Sequence, residues 1–290
     1  MSAPGSTRVL VLGASGMLGN TALRLFSRSP GFEVHGTVRS PECLQLLPEE
    51  VRPLVRAGID AQVPDRLALA LSAVRPDVVI NCIGMVKQRA QAEDPLVAIP
   101  LNALLPHRLA RLCALAGARL VHVSTDCVFS GSRGHYTEAD FPDANDLYGR
   151  SKYLGEVDYD NAVTLRTSVI GHELAGAQGL LGWFLAQSGS AKGFRKAVFS
   201  GLPAVELARV MRDHVIPRPG LRGVYHVSAD PVSKYDLLRL VADVYGKDTT
   251  IEADDRLVID RSLDSQRFRA ATGYVPPSWP QLVRLMHEFG

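Results

Sequence analysis

Residues 9–19 read Val-Leu-Val-Leu-Gly-Ala-Ser-Gly-Met-Leu-Gly. Positions 9–12 are a compact apolar run, the pattern of a strand buried on both faces, and a glycine-rich turn follows at once. A helix is expected next, over about residues 20–27, stopped by Pro30-Gly31 before a second strand at 32–38. The theme repeats. Apolar strands are read at 77–83 and 119–124, with leucines at helical spacing over 101–116 between them. Further strands are read at 162–170 and, late in the chain, at 223–227. Apolar runs separated by helices indicate a parallel sheet covered on both sides. Beyond residue 170 the rhythm loosens. Residues 171–201 are glycine-rich, with Trp183 and Phe184 in no clear period. Helices are expected at 234–245 and from about Pro280, after the break at Val275-Pro276-Pro277. The expected architecture is α/β: a doubly wound, Rossmann-like parallel sheet over residues 1–170, completed by the late strand. A smaller, less regular C-terminal lobe, closing over the sheet's carboxyl edge, covers 171–290.

The turn itself carries chemistry. Gly13, Gly16 and Gly19 are spaced GxxGxxG. The first allows the tight turn, the second lets the backbone approach a pyrophosphate, and the third permits close helix packing. The helix N-terminus adds oriented N–H groups, so Gly13, Ser15, Gly16, Met17 and Leu18 are candidate dinucleotide contacts. The same spacing recurs at Gly176, Gly179 and Gly182 without a strand before it, and that copy reads as a flexible loop. Cofactor choice turns on the end of the second strand. Glu33 stands at the sequence distance of a ribose-binding acid, but it begins the strand. The strand ends Thr37-Val38-Arg39-Ser40, with no acid, and Arg39 could clamp a 2′-phosphate. NADP(H) is therefore preferred, with NAD(H) as the alternative; a solvated surface arginine is the competing role for Arg39. Asp60 could receive the adenine amino group or cap the helix that follows.

Tyr148 and Lys152, in Tyr-Gly-Arg-Ser-Lys, are four apart and share a helix face. A nearby ammonium should favour the phenolate and tune the tyrosine as a general acid, an effect worth roughly 10²–10⁴ in rate. The preceding strand ends Ser124-Thr125-Asp126, which delivers hydroxyls to the carboxyl edge of the sheet, where α/β ligands bind.

Composition narrows the partners. With 32 Lys+Arg against 30 Asp+Glu in 290 residues, the net charge of +2 provides no field for a nucleic acid. No apolar run has the length of a membrane span, and no metal site is expected, since neither the histidines nor the cysteines have ligand spacing. Cys43, Cys82, Cys113 and Cys127 read as buried free thiols of a reducing compartment, and a cytoplasmic location is expected.

Taken together, these segments resemble an extended short-chain dehydrogenase/reductase, similar to the dTDP-4-dehydrorhamnose reductase family. The resemblance rests on GASGMLG at 13–19, NCIG at 81–84, Asn102, STDCVFSG at 124–131, YGRSK at 148–152, LRTSVIG at 165–171 and RSLDS at 261–265. It implies that Thr125, Tyr148 and Lys152 form the catalytic trio, with Lys152 also on the nicotinamide ribose. It implies that Cys82, Ile83, Gly84 and Thr167 line the cofactor, and that Ser124, Thr125, Asp126 and Tyr148 face a nucleotide-sugar substrate. Arg261 becomes a candidate phosphate contact, with a surface salt bridge as its competing role.

The implied reaction is NADPH-dependent reduction of the 4-keto group of a dTDP-, UDP- or GDP-linked 4-keto-6-deoxy sugar, for polysaccharide or glycoconjugate synthesis. Related 4,6-dehydratases carry an Asp-Glu pair where this chain has Asp126-Cys127, which argues against dehydration. Members that dimerise through Mg²⁺ carry a glutamate where this chain has Asn20-Thr21-Ala22, so a homodimer, if formed, is not expected to be metal-bridged. Two other readings stand: an NADP-binding regulatory subunit resembling that of methionine adenosyltransferase, and a nucleotide-sugar epimerase that keeps its cofactor tightly bound and oxidised. Related enzymes that couple reduction to epimerisation use a cysteine and a histidine, but Cys127 and His172 are offset from the positions that the resemblance implies.

Overall fold

The computed structural model describes residues 5–85 and 93–290. Its centre is a seven-stranded sheet. Six strands come first in the chain: β1 (Thr7–Leu12), β2 (Phe32–Thr37), β3 (Val55–Arg56), β4 (Val78–Asn81), β5 (Arg119–Thr125) and β6 (Ala162–Thr167). The late strand Gly223–His226 adds at the edge beside β6. Across the sheet the order is Gly223–His226, β6, β5, β4, β1, β2, β3, and every pairing is parallel. The order reverses between β1 and β4, so the crevice at their carboxyl ends is the switch point at which such sheets bind ligands.

Residues 9–12 are fully buried, as the apolar run demands of a central parallel strand. Their side chains alternate between two cores. Val9 and Val11 join Ile80, Val121 and Val163 in one core, with Leu23 and Phe26 of α1 (Met17–Ser27) and Leu282 and Val283 of the Trp279–Phe289 helix. Leu10 and Leu12 join Val79, Leu120, Leu67 and Leu109 on the other face.

The differences from the sequence reading have local causes. The expected strand at 162–170 breaks at Ser168. Its carbonyl accepts from Leu202 N at 2.9 Å, and Val169–Ile170 leaves the central sheet to pair with Leu202–Pro203. The expected helix at 101–116 begins earlier, at Pro95, where the Asp94 side chain accepts from Leu96 N at 2.9 Å. It then passes through a π-helical stretch, Ile99–Leu104, before Leu105–Leu115. The C-terminal part is more regular than its glycine content suggests. Ser190–Phe194 pairs with Thr250–Asp254, and Ala197–Phe199 pairs with both Val232–Ser233 and Ile259–Asp260. Phe184 is buried beside the partly exposed Trp183 on the short Leu180–Leu185 helix. All four cysteines are free, but only Cys113 is fully buried. Among the described residues, no helix is long and apolar enough to cross a membrane.

Candidate active site

The site is built on the carboxyl ends of the strands. After β1, Gly13 takes a left-handed conformation (φ +81°) that glycine adopts without strain. A side chain at Gly19 would collide with the Gly13 carbonyl, so α1 sits directly against the turn. Gly16 is the N-cap of α1, no side chain caps its amides, and its first turn carries no acid. These amides and the positive end of the helix dipole suit a diphosphate. The second glycine pattern is built differently. Its six-residue helix starts at Gly179, whose amide already binds the Glu173 carboxylate at 2.8 Å. A carboxylate there repels a phosphate.

Ser15, Met17 and Leu18 lie in or just after this first turn. Arg39 is exposed beyond the end of β2. Glu33, at the far end of β2, pairs with His35 at 3.0 Å. Asp60 lies near the same edge, since Ile59 N binds the Val38 carbonyl at 3.1 Å. Its Oδ1 accepts from Gln62 N at 2.9 Å in a turn, and the cap of the next helix is Val63. Cys82, Ile83 and Gly84 continue β4 beside the glycine turn, where Cys82 N binds the Leu12 carbonyl at 3.1 Å. Burial pushes the Cys82 thiol up to about 12. Thr167 is buried at the end of β6.

The catalytic candidates come together. Tyr148 and Lys152 lie on the Leu147–Leu154 helix, capped by the Asp146 side chain on Gly149 N at 2.8 Å. Side chains at Gly149 and Gly155 would strike the backbone at Cys127 and at Asn102, so both ends of this helix are wedged against their neighbours. Asn102 bridges the gap to β4: its Nδ2 donates to Ser151 Oγ at 3.1 Å, and its Oδ1 accepts from Met85 N at 2.8 Å. Lys152 Nζ donates to the Val123 carbonyl at 2.9 Å. Thr125 Oγ1 donates to Asp126 Oδ1 and accepts from Cys127 N, both at 3.1 Å, and it lies close enough to Tyr148 to act on its phenol.

The electrostatics correct one expectation. Burial raises the Tyr148 phenol above its ordinary range, and Cys127, Asp126 and Asp146 push in the same direction; the nearby Thr125 hydroxyl opposes them. Tyr148 is held protonated rather than tuned toward phenolate. Lys152 is lowered to about 8 by burial, against the opposing influence of Glu156 and Cys82.

The substrate-side candidates divide. Asp126 is buried, and burial raises its carboxyl while Arg261 and Lys234 act to lower it. Among the described residues Arg261 has no salt-bridge partner: its Nε donates to the Phe129 carbonyl at 2.7 Å and its charge acts on Asp126. Ser124 is drawn elsewhere, since its hydroxyl donates to Glu156 Oε1 at 2.7 Å in the interior. The wall carrying Arg261 is stitched to the 131–136 loop. Asp260 N binds the Gly131 carbonyl at 2.8 Å, Tyr136 N binds the Ser262 carbonyl at 2.9 Å, and Asp264 N binds the Tyr136 carbonyl at 2.7 Å.

Lys234 was not singled out by sequence. It opens the Lys234–Tyr245 helix and acts electrostatically on both Asp126 and Cys127. A cation at a helix N-terminus opposes the dipole, which is the signal that could have marked it. His172 and Cys127 have no shared setting: His172 binds the Tyr245 hydroxyl at 2.9 Å, whereas Cys127 faces Tyr148 and Lys234.

Residues 7–287 match the family described as RmlD substrate binding domain. The chain belongs to this family. Over 274 residues it is 30% identical to the probable low-salt glycan biosynthesis reductase Agl14 of Haloferax volcanii, covering 87% of this chain and 85% of that protein. Over 266 residues it is 27% identical to methionine adenosyltransferase 2 subunit beta of Xenopus laevis, covering 83% and 72%. The crystal structure of dTDP-4-dehydrorhamnose reductase from Bacillus anthracis in complex with NADP superposes with a TM-score of 0.79 at 20% identity, covering 99% of both chains.

Proposed function

We propose that this RmlD-family chain is an NADPH-dependent reductase of the 4-keto group of a nucleotide-activated 4-keto-6-deoxy sugar, serving glycan biosynthesis. The observation that carries this reading is the meeting of Thr125, protonated Tyr148 and Lys152 beside the uncapped glycine turn. NADPH, when bound, supplies the hydride for the carbonyl carbon. Thr125 and Tyr148 hold the keto oxygen, and Tyr148 Oη gives it the proton, for which an un-ionised phenol is the required form. Lys152 holds the nicotinamide ribose and keeps a positive charge beside the developing alkoxide. Gly13, Ser15, Gly16, Met17 and Leu18 hold the diphosphate, Arg39 the 2′-phosphate and Asp60 the adenine edge, with Cys82, Ile83, Gly84 and Thr167 lining the groove. Asp126, Arg261 and Lys234 position the nucleotide sugar. The names of Agl14 and the Bacillus anthracis enzyme support the reductase and NADP assignments. NAD(H) is the weaker cofactor in this reading.

The 1–170 and 171–290 division is retained as cofactor and substrate halves, in a cytoplasmic protein. A homodimer belongs to the same reading. The test is NADPH oxidation with a panel of dTDP-, UDP- and GDP-4-keto-deoxy sugars. Turnover confined to added keto-sugar is expected. Similarity to methionine adenosyltransferase 2 subunit beta supports a second reading, a regulatory subunit. NADPH binding with no turnover across the panel would favour it.

A further inference from the structure

Lys152 and Glu156, four residues apart, dock on consecutive residues at the end of β5. Lys152 binds the Val123 carbonyl, and Ser124 Oγ donates to Glu156 Oε1. Glu156 is also gripped by Arg166 from β6, whose Nε donates to Oε1 at 2.8 Å and whose Nη2 donates to Oε2. Both side chains are 4% exposed. Arg166 Nη1 lies 2.8 Å from His226 Nε2, and its guanidinium stands over the Phe129 ring. His226 Nδ1 is 3.0 Å from the Tyr136 carbonyl. A carbonyl only accepts, so Nδ1 carries the proton and Nε2 accepts from Arg166. The network joins the residue before Thr125, the residue before Thr167 and the loop that holds the Arg261 wall. A buried ion pair is a weak stabiliser compared with well-packed apolar residues of equal volume, so stability alone does not account for it.

We infer that Glu156 is a positioning residue of the reaction: clamped by Ser124 and Arg166, its carboxylate pins the chain just past the Leu147–Leu154 helix and so keeps Tyr148 and Lys152 in register with the Thr125 strand end. This rests on the reductase reading. The groups that face Lys152 come from three elements: Glu156 beyond its own helix, the neutral thiol of Cys82 after β4, and buried His122 on β5, held neutral by burial and by Lys152 itself. Among the described residues, Glu156 is the full negative charge acting on Lys152, and Arg166, which pairs with Glu156, does not itself act on the lysine.

The chain has six lysines, so the Lys152 Cε signal can be followed by NMR and assigned by its loss in Lys152→Met. Glu156→Gln should move the Lys152 titration midpoint down by about one pH unit, which by itself halves the ammonium at pH 7 from about nine-tenths; lost register should bring the whole fall in kcat to roughly tenfold with little change in KM. It should also lose stability, because Arg166 is left unpaired. Glu156→Gln/Arg166→Met separates the two causes: stability should recover while the midpoint and kcat stay low. Recovery of all three together, or a wild-type midpoint in both variants, would overturn the proposal. The lysine titration needs no substrate, so a wild-type protein without keto-sugar turnover would defeat the reductase reading and leave this test standing.

Discussion

Tyr148 and Lys152 are held in the protonation states that carbonyl reduction requires. Burial keeps the phenol protonated, and Lys152, lowered to about 8, is mostly ammonium at neutral pH. Tyr148→Phe should reduce keto-sugar turnover by roughly 10²–10⁴ while NADPH affinity, read by fluorescence titration, is retained. Lys152 serves the site at a cost to the fold. Its folded-state pKa is depressed from 10.5, so the unfolded chain holds the proton more tightly between about 8 and 10.5 and the penalty is complete below 8. Lys152→Met should therefore abolish turnover yet stabilise the protein at pH 7 by about 1–3 kcal/mol in urea denaturation, the lost bond to Val123 offsetting part of the gain. Arg39→Ala should bring NADPH affinity close to NADH affinity; an unchanged ratio would remove the phosphate clamp. The trio was legible because a tyrosine and lysine at helical spacing follow a hydroxyl-ended strand. The direction of the tyrosine shift was not, because the burial of Tyr148 and the approach of Cys127 and Asp126 arise only in three dimensions.

Among the elements, the catalytic helix is positioned by what it lacks. Gly149 and Gly155 admit the backbone of neighbouring segments where any side chain would collide. Gly155→Ala should destabilise by about 1–3 kcal/mol and lower kcat, whereas Gly220→Ala, with open space around it, should stay within about 0.5 kcal/mol. Paired thermal melts and kinetics decide this. The long parallel strands announce themselves as apolar runs, since each is buried on both faces. The two-residue strand β3 and the short pairings of the C-terminal half carry no such pattern: their partners lie 19 to 62 residues away, and local sequence does not encode the match. The π-helical stretch at 99–104 was equally silent, although it contains the Asn102 that bridges the helix to β4.

For the whole molecule, buried histidines set the acid limit. His226 is lowered to about 3, and His122 and His172 are also lowered, each chiefly by burial. A base with a depressed folded-state pKa contributes stability above its unfolded value near 6.5, and that stability is lost as pH falls toward the folded value. Urea midpoints should drop between pH 6.5 and 4, at up to about 1.4 kcal/mol per pH unit for each such histidine. His226→Gln should flatten that slope; an unaltered slope would place the acid sensitivity elsewhere. The wall at 259–264, stitched to the loop at 131–136, has a consequence for how the protein is made. Synthesis runs from the N-terminus at roughly 5–20 residues per second, so the stretch between Thr167 and Ile259 takes on the order of 5–20 s to appear. During that interval a nascent chain carries the glycine turn, Thr125, Tyr148 and Lys152 with one side of the cleft still missing. The glycine turn and the Tyr148 helix are made first, and the sheet, its core and the Arg261 wall are completed only by the last part of the chain.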